Sequence, residues 1–264
     1  MARWILDCRP LCSHPWRLGI ATEAHERDGA YRLRYDVFFR EMGYGDPATL
    51  RSDGRDIDAY DEWCDHLILH DDERQQVIGT YRAIPGAEAM RRGGFYGAYE
   101  FDLSPLAPIA PKILQGSRTC IHPDYRTGLA FHYLSYGMEV LLREHKCQYF
   151  LGAESFRADT PEVLNRIYSY VLGQGMDPDW HVEPTPACKV EDLVRVPVTP
   201  ADERLLPAIV RMEIRMGFKP CSPPAWDPDF RSYDILFLGR RDRLNALYEA
   251  FMRRVERKLP KTTA

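Results

Sequence analysis

The chain has 264 residues, enough for one large domain or two small ones around a sizeable core. Hydrophobic residues make up 45% and charged residues 28%, the balance of an ordinary globular protein, and the net charge of −4 gives no reason to expect a nucleic-acid partner. Seven irregularly spaced cysteines without a Cys-x-x-Cys pair read as reduced thiols in the cytoplasm and no structural zinc.

Charges and two prolines interrupt residues 1–18, which therefore do not read as a secretory leader. No stretch nears the ~18 uncharged apolar residues of a membrane span, so any membrane contact is expected to be peripheral. Cys8, Cys12 and His14 imitate a metal cluster but lack a fourth ligand, and no metal is expected. Residues 17–24 read as a first strand. Residues 25–42 read as a helix, because Ala30, Leu33, Val37 and Met42 recur near helical spacing and Gly43 is a suitable stop. Residues 45–64 are polar and acidic with no apolar period, which predicts a long loop of the kind that often carries function.

Residues 66–69 and 76–84 predict two strands of a hairpin around Asp71-Asp-Glu-Arg74. A short helix and a Gly93-Gly94 turn follow within residues 86–100. A strand over 113–121 then stops at His122-Pro123, and a tight turn ending in Arg126-Thr-Gly128 opens a helix over 129–146. A strand that delivers its end to a glycine turn at a helix N-terminus suits a phosphate, since several backbone N–H groups and the positive end of the helix dipole meet there. Residues 148–153 predict a buried strand, and Thr160-Pro161-Glu162 caps another helix. Residues 173–203 are proline-rich and read as an insertion; a short helix over 205–216 and a strand over 234–239 follow. This order predicts an α/β (α+β) fold with a mixed, twisted central sheet flanked by helices in one domain over 17–239. No Gly-x-Gly-x-x-Gly follows a strand, which argues against dinucleotide binding.

Several segments carry chemistry-bearing residues. On a helix, Arg34, Phe38 and Glu41 share a face, either as an amphipathic stripe or as a substrate-facing end. Residues 56–66 hold four aspartates, a glutamate and a histidine. Such a run could bind a cationic amine and accept its proton, could be a solvated loop, or could hold calcium, although the EF-hand order is absent. Arg82 closes a strand beside that loop, and the aromatics of residues 93–106, Phe101 among them, line either an apolar tunnel or a core. No Gly-x-Ser-x-Gly elbow or nucleophilic cysteine context is present, which favours direct attack by a substrate amine over a covalent enzyme intermediate.

Together, Arg34-Tyr-x-Val-Phe-x-x-Glu-Met42, Asp58-x-Tyr-Asp-x-x-Cys-Asp-His66, Gly79-Thr-Tyr-Arg82, Gly93-Gly-Phe-Tyr96, Glu100-Phe-Asp-Leu-Ser-Pro-Leu106, the segment from Arg118 to Gly128 and Trp226-Asp-Pro-Asp-Phe230 resemble the bacterial ornithine N-acyltransferases. That family is of the GNAT type and is related to acyl-homoserine lactone synthases and N-acyl amino acid synthases. The resemblance implies a GNAT-like fold, no bound cofactor, acyl carrier protein as partner and co-substrate, and transfer of a 3-hydroxy fatty acyl group to the α-amine of ornithine.

The resemblance also implies that Arg126, Thr127 and Gly128 hold the phosphopantetheine phosphate, with Cys120 and Ile121 along the pantetheine arm. It places Arg34, Phe38, Glu41, Tyr44 and Phe101 at the substrate and Asp58, Asp61, Arg82, Gln115 and Arg118 in the catalytic group. Family members commonly carry a glutamate where this chain has Gln115, which cannot take a proton; either Asp58 or Asp61 acting through a water would then be the base, or the alignment shifts locally, or the amine arrives already neutral. Residues 240–264 predict a basic amphipathic helix, either packed on the domain or lying on anionic lipid at the inner membrane. An N-acyl amino acid or lactone-type signal synthase, and a non-catalytic acyl-carrier or lipid-binding protein, are the alternatives.

Overall fold

A computed structural model describes residues 1–12, 14–46 and 51–258, with the side chains of Phe251 and Lys258 outside the described set, and among the described residues it has eleven strands and six α-helices. The strands are β1 (Arg3–Asp7), β2 (Trp16–Ile20), β3 (Asp65–Asp71), β4 (Gln76–Pro85), β5 (Phe101–Asp102), β6 (Ile113–Ile121), β7 (Tyr149–Phe156), β8 (Glu183–Pro184), β9 (Lys219–Pro220), β10 (Ala225–Asp227) and β11 (Ser232–Arg240). The helices are α1 (Ala24–Tyr35), α2 (Gly86–Arg91), α3 (Leu129–Glu144), α4 (Pro161–Gly173), α5 (Ala208–Met216) and α6 (Ala246–Lys258). The main sheet runs β1-β2-β3-β4-β6-β7-β11-β10, with β9 also on β11, and β5 pairs with β8 apart from it. The result is a single α/β domain of GNAT-like architecture: a mixed central sheet, helices on its faces, and a helical C-terminal extension.

Period-two alternation sets the two faces of the sheet. Leu67, Leu69 and Ile78 face α3 in the large core, whereas Ile68 and Val77 face α1. Helix α1 starts on a reciprocal cap between Glu23 and Glu26 and runs into a wider turn over Asp36–Glu41, where the Met42 N–H reaches back to the Val37 carbonyl. Thr160 caps α4 as the sequence predicts, its hydroxyl accepting the Val163 N–H.

All described pairings in the main sheet are antiparallel except β6 with β7, whose parallel ladder runs only from Ile113↔Tyr149 to Gly116↔Gly152. Beyond that pair both strands continue, to Ile121 and Phe156, without bonding each other. A Cβ on Gly116 would fall 2.4 Å from the Tyr81 ring, so a glycine is required there, where the strands part; one on Gly152 would fall 2.8 Å from the Glu154 carboxylate and displace that side chain.

Three expectations need correction. The sheet begins at β1, ahead of the predicted first strand; β1 is an edge strand with only Leu6 fully buried, so its alternation is faint. Phe101 is fully buried in a second core with Ile84, Leu106, Leu151 and Leu236, and is therefore not a substrate contact. The proline-rich stretch 173–203 contributes β8 and a capped turn at Thr199. Helix α6 buries Leu244 just before it and its own Tyr248, Met252 and Val255 against the domain, one of the two placements the sequence leaves open, and exposes Leu247. Residues 259–264 of the predicted helix lie outside the described residues. Among the described residues no helix is long and apolar enough to cross a membrane.

Candidate active site

Three arginines and three aspartates are interlocked beneath the open end of β6. Arg34 on α1 is fully buried; its Nε bonds Asp56 at 2.7 Å and its two Nη atoms bond Asp61 at 2.6 and 3.0 Å. Arg82 on β4, also buried, reaches Asp58 at 2.6 Å and Asp61 at 3.1 Å, while its Nε donates to Ser117. Arg118 on β6 reaches Asp56 at 3.1 Å, Asp58 at 3.2 Å and the Tyr96 hydroxyl at 2.6 Å. Removal of single members from such a network leaves a buried charge uncompensated, whereas the intact set is neutral.

Asp56, Asp58 and Asp61 of the acidic loop thus turn inward onto arginines rather than toward solvent, an ammonium or a calcium ion. Asp61 directs both oxygens at Arg34, and its carboxyl is held far below the ordinary range by the arginines despite its burial. Arg34, Arg118 and hydrogen bonding likewise hold Asp56 low against its burial. Neither carboxylate faces a free ammonium, and Asp61 is too acidic a group to take a proton. Of these three aspartates only Asp58 keeps appreciable exposure, 25% of its side chain. Burial lowers His66 to about 4, so it is neutral, with Nε2 bonded to the Asp61 carbonyl.

Arg118 sits at φ +53°, in the left-handed region, where the β4–β6 register shifts between Thr80 and Arg82. The bulge turns its guanidinium over the Phe230 ring, 4.3 Å from the centroid. Strain of this kind persists only where the surroundings over-determine it, and it collects at functional sites.

Gln115 is fully buried and clamps a loop. Its Oε1 accepts the Tyr96 N–H at 2.8 Å and its Nε2 donates to the Tyr96 carbonyl at 2.6 Å. It therefore holds Tyr96 against Arg118. Gln115→Glu keeps the acceptor but sets a carboxylate against a carbonyl oxygen. We expect it to destabilise the fold by about 1–3 kcal/mol without raising turnover; denaturant unfolding and a transfer assay check both, and faster turnover would return this position to the base role.

Where β6 and β7 part lies a cavity of about 130 Å³ lined by Phe38, Tyr44, Tyr96, Arg118, Glu154 and Phe230, among others. Phe38 and Tyr44, both expected at the substrate, are there. Cys120 is not: it is buried against Leu33 and Val37, and burial raises its thiol. Glu154 was not legible as functional, although a lone glutamate directly after the apolar run Tyr149 to Ala153 is a visible signal. It is half-buried on the cavity wall and hydrogen-bonded to the buried Glu213 of α5. Burial raises both carboxyls, so the pair shares a proton between its two side chains. A carboxylate raised toward neutrality beside a cavity is suited to proton transfer.

The predicted phosphate turn lies next to this opening. Gly128, at φ +83°, precedes the first turn of α3, and Arg126 is tied to the Ile121 carbonyl and to Glu41 at 2.7 Å. Glu41 therefore faces Arg126 rather than the cavity. Thr127 and Gly128 line a cleft between the start of α3 and α6.

Residues 33–136 match the acetyltransferase (GNAT) domain family. The L-ornithine N(alpha)-acyltransferase of Agrobacterium fabrum is 31% identical over 231 residues, covering 82% of this chain and 78% of the relative. That of Rhizobium meliloti is 30% identical over 240 residues, covering 87% and 81%. Among solved structures, the AHL synthase LasI superposes with a TM-score of 0.50 at 15% identity, covering 96% of this chain and 95% of that one. FeeM, an N-acyl amino acid synthase from uncultured soil microbes, gives 0.50 at 12% identity over 89% and 97%; both likenesses are of fold. The chain belongs to the L-ornithine N(alpha)-acyltransferase family of GNAT-fold acyltransferases.

Proposed function

We propose that this protein transfers a 3-hydroxy fatty acyl group from acyl carrier protein to the α-amine of ornithine in the cytoplasm, forming lyso-ornithine lipid. The observation that carries the reading is the parted end of β6 and β7 over a cavity that presents Glu154. A thioester arm enters along the unpaired edge of β6, where main-chain N–H groups polarise its carbonyl. Its phosphate takes Arg126 from Glu41, an exposed ion pair that is cheap to break, and meets the first turn of α3.

The neutral amine attacks the thioester carbon and an N–C bond forms. Glu154 accepts the amine proton, the C–S bond breaks, and Glu154 returns that proton to the departing sulfur, which leaves as the thiol of the carrier. Tyr96, Arg118 and Phe230 orient the acceptor's polar end, and the Arg–Asp network holds Arg118 in place.

The test is purified protein with 3-hydroxyacyl carrier protein or the matching acyl-CoA and a panel of amino acids. Thiol release and an N-acyl product with ornithine are expected, faster with the carrier protein. Acylation of a different amine in preference, or release only from CoA, would replace the acceptor or the donor in this reading.

A further inference from the structure

Three carboxylates outside the transfer machinery converge in the interior. Glu100 precedes β5, Asp227 ends β10 and Asp234 lies in β11, with one oxygen of each within 4.8 Å of the others. All are buried, at 5%, 4% and 2% exposure. Asp227 accepts the Asp229 and Phe230 N–H groups, and Asp234 accepts the Ser232 hydroxyl. In Glu100, Oε2 is buried without a hydrogen bond. Among the described residues no lysine or arginine nitrogen lies within 4.0 Å of any of the three. Arg118 acts on Glu100 and Asp227 only through its field.

Three like charges without a counterion are costly in a dry interior, and burial with mutual repulsion raises all three carboxyls. The motifs around Glu100 and Asp227 are also ones that no step above uses. The cluster is not isolated, since Asp234 lines the transfer cavity.

We propose that Glu100, Asp227 and Asp234 form a pocket for the side-chain ammonium of the acceptor amino acid while its α-amine stands at Glu154. This rests on the acyl-transfer reading above. An ammonium has three N–H donors, and the cluster offers three carboxylate acceptors around one point. The pocket has a chemical consequence. A diamino acid brings two amines to the thioester, and the one held among carboxylates keeps its proton and cannot attack. Acylation then falls on the α-nitrogen. A hard divalent cation, which takes six or more oxygens, is the other occupant such acids could hold.

The test compares ornithine with 2-aminopentanoic acid, which has the same carbon chain and no side-chain amine. Wild-type protein is expected to favour ornithine in kcat/KM by a hundredfold or more. Glu100→Gln is expected to cut that ratio at least tenfold, mainly through the KM for ornithine; Asp227→Asn, which retains its main-chain bonds, is the second variant should the first not fold. Thermal unfolding with ornithine, 2-aminopentanoic acid, magnesium or calcium gives a readout apart from turnover, with stabilisation expected from ornithine alone. An unchanged ratio in a folded variant that still acylates ornithine overturns the pocket and leaves the transfer reading standing. Stabilisation by a divalent ion, lost in Glu100→Gln, overturns the ammonium in favour of a metal. A wild-type protein that acylates neither acid but does acylate another amine overturns the ornithine reading itself.

Discussion

Glu154→Gln is expected to lower kcat by about a hundredfold or more, the usual worth of a positioned base, and to remove the rise of the rate with pH. The expectation follows from the Glu154–Glu213 pair, which shares one proton at the wall of the cavity. A base must be unprotonated to act, and burial holds the pair protonated beyond the ordinary carboxylate range. Activity should therefore fall as pH drops through the pair's raised value, well before an exposed carboxylate would titrate. Glutamine keeps the size and polarity of Glu154 and removes only its ability to take a proton.

Glu213→Gln separates a base from a bystander. The amide still donates a hydrogen bond to Glu154 but brings no second negative charge, so Glu154 should ionise more readily and the acid limb of the profile should move to lower pH. Full activity of Glu154→Gln with an unshifted profile would remove the pair from the mechanism. An intact rate limited by carrier-protein release would show instead as a burst in single-turnover measurements.

Local signals in the sequence were good guides wherever neighbouring residues decide the structure. The His122-Pro123 stop, the Gly128 turn and the Thr160 cap are each fixed by residues within a few positions, and each is found where the pattern puts it. The helix over 25–42 is found too, although its last turn widens at Asp36–Glu41, a change of winding that apolar spacing does not report.

Partnership across the chain was a different matter. Asp56, Asp58 and Asp61 look like an open acidic loop until Arg34, Arg82 and Arg118 arrive from α1, β4 and β6. Charge composition records that six charges exist, not that they cancel one another. Gln115 looked like a missing base because only its lack of acidity was visible; its two bonds to Tyr96 depend on a loop 19 residues away. Phe101 and Tyr44 are equally aromatic in sequence, and only the placement of the second core puts the first inside and the second at the cavity.

Arg34→Ala should cost more stability than any other single change at the site, about 3–5 kcal/mol, and lower the melting temperature by roughly 2–4 °C for each kcal/mol. The guanidinium is fully buried and its bonds to Asp56 and Asp61 tie α1 to the inward-folded loop. Alanine leaves two carboxylates in the interior with only Arg82 and Arg118 to answer them. The same argument fixes the pH dependence. Asp56 and Asp61 titrate lower in the folded state than in the unfolded chain, so their stabilisation is complete above the ordinary aspartate value of 3.8 and is lost as pH falls through their depressed folded values. Wild-type stability should therefore drop at acid pH, and Arg34→Ala should reduce that drop, because its stranded carboxylates gain from protonation. Asp61→Asn combined with Arg34→Met should recover part of the loss by removing the stranded charge with its partner. Denaturant unfolding at several pH values reads all of these together. A double variant no more stable than Arg34→Ala alone would mean that packing of the long side chain, rather than charge balance, holds this part of the protein.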